Sequence, residues 1–521
     1  MGCLAPAVLT HMASRLPADS NFPCRSADIW DILLNNDQVS SSDCEKMTKF
    51  PSFGTIIALT LLCSVAPSWA LCVSQLDREV ERIRRRSLVS TARLGVYARS
   101  ADQVLINRDG DRAFIPASNQ KILTSAAALH FLSADFRIAT SLMTEIAPEN
   151  GEIKGNLWVI GRGDPTLTSA KGLRELVQNL RGRNIQTIRG EIKFLPALRA
   201  KPLSRGWEVQ DLHEYYAAPT SAFTLDENSH YWTVTPTKRG QPVQFSWDFP
   251  ELVTGWRIDN RATTSPANGS YTLYTERIIE KGQKILRLGG TIPENEEPEL
   301  GGVTIPDQVA YFRERLQAEL QQQGIKVLGE NINLGTPRYE LVNYLSPTLG
   351  EILPNINKES NNLHAELLLR ILGNRLHEVE PDAYAGGIIM VRKFVSNLGQ
   401  SIAGIVIADG SGLSRYNLVT PRLLVNILKA MSDQPNFRTS LAIAGVDGTL
   451  KKRFRNTIGA NNIRAKTGTI TGAVSLSGYL NNPDLGEIVF SIMINNTNQS
   501  SAESRRAIDA IALLLLQLKR C

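Results

Sequence analysis

The sequence predicts an α/β (α+β) chain: one mixed domain of helices and strands, split in sequence and interrupted by β-rich insertions. Three observations carry this reading. Residues 75–140 alternate helix-like and strand-like patterns. Residues 141–344 switch to short alternating runs such as "NLWVIGRG", "HYWTVTP" and "LRLGGTIP", separated by Gly, Pro, Asn and Asp. From 345 to 521 long apolar helices and a strong hairpin return. With 521 residues the chain exceeds what one core needs, so several domains are expected.

The N-terminus reads in two parts. Residues 1–46 lack apolar periodicity and stay unassigned, as a misassigned start would leave them. Met47 opens "MTKFPSFGTIIALTLLCSVAPSWA", with a positive Lys49, an apolar run Ile56–Val65 and small residues Ser68 and Ala70. That is the pattern of a secretory signal peptide over 47–70, and it predicts an exported chain. Of the six cysteines, only Cys72 and Cys521 would survive cleavage. They are candidates for a disulfide joining the mature termini.

The elements follow in order. Leu76 to Val89 predicts a short amphipathic helix with Leu76, Val80 and Ile83 inside, and its basic run Arg82–Arg86 reads as the solvent side. "LGVYARS" and "QVLINRDG" predict two strands with a connecting turn. "IPASNQKILTSAAAL" predicts a helix entered at Pro116. Within the insertion one clear helix is expected, capped by Asp307 and closed by Gly324. "NKESNNLHAELLLRILGNRL" predicts an amphipathic helix with Leu363, Leu367, Leu368 and Leu372 inward. "GAVSLSGYL" and "EIVFSIMINN" form a hairpin about Asn482-Pro483-Asp484, and "ESRRAIDAIALLLLQL" closes the chain as a helix.

Composition narrows the function. Hydrophobic residues at 42% and charged residues at 21% are ordinary for a globular protein. A net charge of +6 on this length gives no footprint for nucleic acid. No CxxC, HExxH or Cys/His cluster occurs, so no metal, redox site or cofactor is expected.

Three short motifs do carry chemistry: Ser118-Asn119-Gln120-Lys121, Ser360-Asn361-Asn362 and Lys466-Thr467-Gly468. Positions three apart share a helix face, so Lys121 can reach the Ser118 hydroxyl. A serine needs a base to become a nucleophile, and a lysine is a base only when neutral. Burial and a second cation both favour the neutral form, and Lys466 is the candidate cation. Ser360 is suited to passing a proton to a leaving amine, and Asn362 to holding a substrate amide from both sides. Lys466 and Thr467 begin a strand, and on its edge they suit a free carboxylate, with Gly468 permitting close backbone approach. The Asp409-Gly410-Ser411-Gly412 and Asp447-Gly448 stretches read as tight turns without a chemical role.

The ordered set SxxK, SxN and KTG resembles the signature of penicillin-binding proteins and β-lactamases. Within that group the chain looks most like the low-molecular-mass D-alanyl-D-alanine carboxypeptidase/endopeptidase family. The stretches "GNLWVIGRGDPTL", "LSPTLGEILPNINKESNNLHAELLLR", "DGSGLSRYNLVTP" and "RAKTGTITGAVSLSGYL" carry the resemblance, and the long gap between Ser118 and Ser360 resembles that family's inserted domains. The resemblance implies a penicillin-binding/β-lactamase-like transpeptidase fold: an antiparallel sheet flanked by helices, built from 75–140 and 345–521. It implies Ser118 as acylated nucleophile, Lys121 as its base and Ser360 as proton relay. Asn362 would hold the peptide, and Lys466, Thr467 and Gly468 would receive the terminal carboxylate. The backbone amides of Ser118 and Thr469 would form an oxyanion hole. Asn361 departs from the aspartate of the family's usual SDN. The implied partners are peptidoglycan stem peptides and, as acylating inhibitors, β-lactams; peripheral membrane association and oligomeric state stay open. Two rival readings are a β-lactamase and a non-catalytic wall-binding scaffold.

Overall fold

The computed structural model describes residues 71–521 except 88, 200 and 377. The 1–46 extension and the 47–70 signal peptide therefore lie outside the described residues. The first part runs α1 (Val73–Arg86), β1 (Arg93–Ser100), β2 (Gln103–Arg108) and α2 (Gln120–Leu132). The middle supplies β3 (Ala139–Thr144), β4 (Leu157–Gly161), α3 (Arg174–Gly182), β5 (Ile192–Pro196) and β6 (Ser229–Thr235). It continues with β7 (Gln244–Trp247), β8 (Trp256–Asn260), β9 (Tyr274–Glu280), β10 (Gln283–Gly289), β11 (Glu299–Thr304), α4 (Gln308–Gln322) and β12 (Tyr339–Leu345). The last part has α5 (Leu349–Asn357), α6 (Asn362–Gly373), α7 (Ala383–Asn397), α8 (Pro421–Ala430) and β13 (Ala442–Ile443). It ends with β14 (Ile463–Ile470), β15 (Ala473–Asn482), β16 (Gly486–Asn495) and α9 (Ser501–Gln517).

One sheet organises both ends of the chain. Its order is β13-β14-β15-β16-β1-β2, antiparallel throughout. Because side chains alternate across a strand, each face has its own core. Leu76 and Val80 of α1 pack with Ile508, Ile511 and Leu515 of α9 on one face. Ile122, Leu123 and Ala126 of α2 pack with Leu368, Leu369 and Leu424 on the other. Cys72 and Cys521 are disulfide-bonded, Cα to Cα 5.6 Å, where residues 71–72 and 518–519 run parallel.

The middle segment has two cores of its own. One gathers β3, β4, α3, α4 and β12 around Val159, Leu176 and Phe312. The second joins β6, β10 and β11 around Trp232, Val234 and Leu288.

The α/β (α+β) class holds, and four local expectations change. α3 is a second helix in the insertion, nine residues long, with Leu176, Val177 and Leu180 buried. α6 is buried on every side from Leu363 to Gly373, including Glu366 and Arg370, because α2, α7 and the 198–223 segment cover what would have been its polar face. The helix expected to open on Ser118 starts as a 3-10 turn, Ala117–Asn119, before α2 begins. Lys466 is the fourth residue of β14, so KTG sits inside the strand and not at its start.

Candidate active site

The backbone first explains how three distant segments meet. Ala117 has φ +48°, a bend that turns the Ser118 side chain out at the mouth of α2. That bend is gripped from two sides. A Cβ at Gly468 of β14 would stand 2.7 Å from the Pro116 carbonyl oxygen and 3.0 Å from the Ser118 nitrogen. Ser475 of β15 donates to the Pro116 carbonyl at 2.6 Å and accepts from the Asn119 side chain. Ser360 sits between α5 and α6 at φ +65°. Asn361 then caps α6, accepting from His364 N at 3.1 Å.

The side chains converge. Lys121 Nζ lies 2.9 Å from Ser118 Oγ, 2.6 Å from Asn362 Oδ1 and 2.8 Å from the Ser411 carbonyl oxygen. Lys466 Nζ lies 2.8 Å from Ser360 Oγ and 2.9 Å from the Thr467 carbonyl oxygen. Thr467 donates to Thr449 Oγ1 at 2.7 Å. Asn362 donates to the Tyr216 carbonyl at 2.8 Å. Both ammonium groups are fully buried, whereas Ser118, Ser360 and Asn362 remain partly open and Thr469 is exposed. All eight residues picked from sequence thus fall in one place: buried lysines as floor, reachable hydroxyls and amide as wall. Beyond Ala465, no strand among the described residues pairs with the outer edge of β14 from Lys466 to Ile470.

Burial pushes the Lys121 amine down to about 7, against the attraction of Asp409 and Glu366, which act to keep it charged. Burial is the largest cause at Lys121; at Lys466 burial and then the Lys121 charge push the amine well below its ordinary value, so the two amines disfavour each other's charge.

Sequence reading missed the carboxylates behind this floor. Glu366 accepts from the Gly410 and Ser411 amides, both at 2.8 Å, and pairs with Arg370 at 2.7 Å, both side chains fully buried. Asp409 accepts from Gly412 N at 2.7 Å, Ser414 N at 2.6 Å and Asn417 Nδ2 at 2.7 Å. The 409–412 turn is thus more than a reversal of the chain, because it presents the Ser411 carbonyl to Lys121. Glu366 lay in plain view as a charged residue in a leucine-rich helix. Glu227, which receives Asn361 at 3.0 Å and His364 at 3.1 Å, gave no such signal. Asp447 ties Lys358 at 2.6 Å, and Thr449 N donates to the Lys358 carbonyl at 2.9 Å, so the second turn fixes the loop beside Thr467. Among the described residues no cluster of His, Cys, Asp and Glu could hold a metal ion.

Comparison with known proteins agrees with this geometry. The family model described as D-Ala-D-Ala carboxypeptidase 3 (S13) matches residues 76–518. A D-alanyl-D-alanine carboxypeptidase of Actinomadura sp. is 32% identical over 469 residues, covering 85% of both chains. The D-alanyl-D-alanine carboxypeptidase DacB of Haemophilus influenzae is 26% identical over 415 residues, 78% of this chain and 85% of that one. The crystal structure of penicillin binding protein 4 (dacB) from Haemophilus influenzae superposes with a TM-score of 0.70 at 25% identity, covering 84% of this chain and 98% of that chain. Among the three readings of the sequence these favour the carboxypeptidase over the β-lactamase and the scaffold. A serine and a buried lysine in hydrogen-bond contact, on this fold and with this family match, make the chain a member of the D-Ala-D-Ala carboxypeptidase 3 (S13) family of serine peptidases.

Proposed function

We propose that this chain hydrolyses the terminal D-Ala-D-Ala bond of peptidoglycan stem peptides through an acyl-enzyme on Ser118. The observation that carries the reading is the 2.9 Å contact between Ser118 Oγ and a buried Lys121 held at about 7. A neutral Lys121 takes the hydroxyl proton as Ser118 Oγ attacks the carbonyl of the penultimate D-Ala. The amides of Ser118 and Thr469 receive the developing oxyanion. Lys466 and Thr467 bind the terminal carboxylate, with Gly468 leaving room for it. Ser360, held by Lys466 at 2.8 Å, passes a proton to the leaving D-Ala amine. Asn362 aligns the peptide, water then releases the acyl group, and the same chemistry on D-Ala cross-links would be endopeptidase action.

β-Lactams acylate the same serine and leave slowly. The peptidase domain comprises 75–140 and 345–521, with 141–344 inserted. Export fits this reading, because a disulfide between Cys72 and Cys521 belongs to an oxidising compartment. No helix among the described residues is long and apolar enough to cross a membrane.

Fluorescent penicillin tests the proposal. Stable label on the wild type and none on Ser118→Ala is expected, together with release of D-Ala from a defined pentapeptide. Label that persists on Ser118→Ala, or rapid turnover of the drug without D-Ala release, would sink it.

A further inference from the structure

Beside the catalytic cleft lies a groove that the proposed reaction does not use. It has a volume of about 230 Å3 and is lined by Tyr215, Tyr271, Tyr274 and Leu300, with Glu214 and Glu299 at its edges. Two contacts fix it next to the catalytic groups. The carbonyl of Tyr216, neighbour of Tyr215, holds Asn362. Glu297, two residues before Glu299, reaches Lys452 at 3.0 Å, in the loop whose Thr449 holds Thr467.

The groove is built as a platform. Tyr274 of β9 faces Gly289 of β10 across the strands, and a Cβ at Gly289 would strike the Tyr274 ring. The ring therefore rests on bare backbone with its other face open, and Tyr274 is 54% exposed. Trp232 lies over Gly301 in the same way and forms the buried floor. Leu300 stands 67% exposed on β11. Scattered exposed apolar residues are normal, but several large ones around one concave site mark a binding surface.

The polar edge decides what the ligand is. Glu214 is already engaged by His213 at 3.1 Å and Thr275 Oγ1 at 2.9 Å, and Glu299 by the Tyr271 hydroxyl. Both carboxylates line the groove and offer acceptor oxygens to a donor lying in it. A flat apolar face with neutral hydrogen-bond donors around its rim fits such a site. A pyranose ring has that shape: C–H bonds on its faces, hydroxyl and amide N–H groups on its edge. Resting on the peptidase reading, we propose that this groove binds an N-acylated amino-sugar residue of the glycan strand that carries the stem peptide.

The test compares a stem pentapeptide with the same peptide joined to its amino-sugar disaccharide. On the wild type, KM should be lower for the sugar-bearing substrate by roughly three- to tenfold, the scale of one aromatic contact, with kcat unchanged. Tyr274→Ala, and separately Leu300→Ser on the exposed strand, should erase that difference while kinetics on the free peptide and penicillin acylation stay as in wild type. A peptide-free N-acetylated disaccharide should perturb tryptophan fluorescence in the wild type and not in Tyr274→Ala. Equal KM for both substrates, equal losses on both in the variants, or competition by a lysine-bearing peptide but not by the disaccharide would overturn the assignment. If the wild type neither cleaves peptide nor takes penicillin, the peptidase reading fails, and the disaccharide titration still decides this one.

Discussion

At the scale of single residues, the candidate site turns on one amine. With Lys121 at about 7, its ammonium form dominates in acid and cannot accept the Ser118 proton. Penicillin acylation should fall about tenfold per pH unit well below 7 and level off above about 8, read by stopped-flow acylation across pH. Lys121→Ala should slow acylation by about 10²–10⁴ at neutral pH. Gly468 offers a steric test. A methyl there would press on the Pro116 carbonyl and the Ser118 amide, so Gly468→Ala should cost about 10² in acylation rate, in line with a misplaced nucleophile. Rates within threefold of wild type would mean the 116–118 turn yields freely. These residues were legible because each is a polar side chain at a set spacing in an apolar or Gly-bearing context. Asp409 and Glu227 were not, because they act through backbone amides and partners far away in sequence.

At the scale of elements, α6 does two jobs. Its first residue supplies Asn362, and one turn further in Glu366 clamps the loop that carries the Ser411 carbonyl. Removing Arg370 would leave the Glu366 carboxylate buried without its partner. Arg370→Ala should therefore lose about 3–5 kcal/mol in urea unfolding. It should also slow acylation, because the clamp loosens; full activity in a destabilised variant would separate the two roles. The long helices and the β15–β16 hairpin were legible from period and turn residues. α6 was read as half-exposed because its leucines make one clear stripe, while the burial of Glu366 and Arg370 depends on their pairing with each other. α3 escaped notice because nine residues give too few turns for a periodic signal, and it follows an irregular turn at Ser169–Leu173.

At the scale of the whole molecule, the disulfide joins the ends of the described chain on the α1/α9 face of the sheet, away from the face that packs α2. Cys521→Ser should lower stability by about 2–4 kcal/mol, seen as a lower melting temperature, with penicillin acylation unchanged. A parallel loss of acylation would show that the two faces are coupled. The sheet order has a further consequence, in time. β1 pairs with β16, Ala98 opposite Phe490, and β15 grips the turn that carries Ser118. Strands made early must wait for strands made much later, and such distant pairings form slowly. A nascent chain therefore holds a serine with no site around it. A hydrolase of this build cannot act on the cell that is making it until β15 and β16 have emerged, and the order of its strands alone keeps it silent until then.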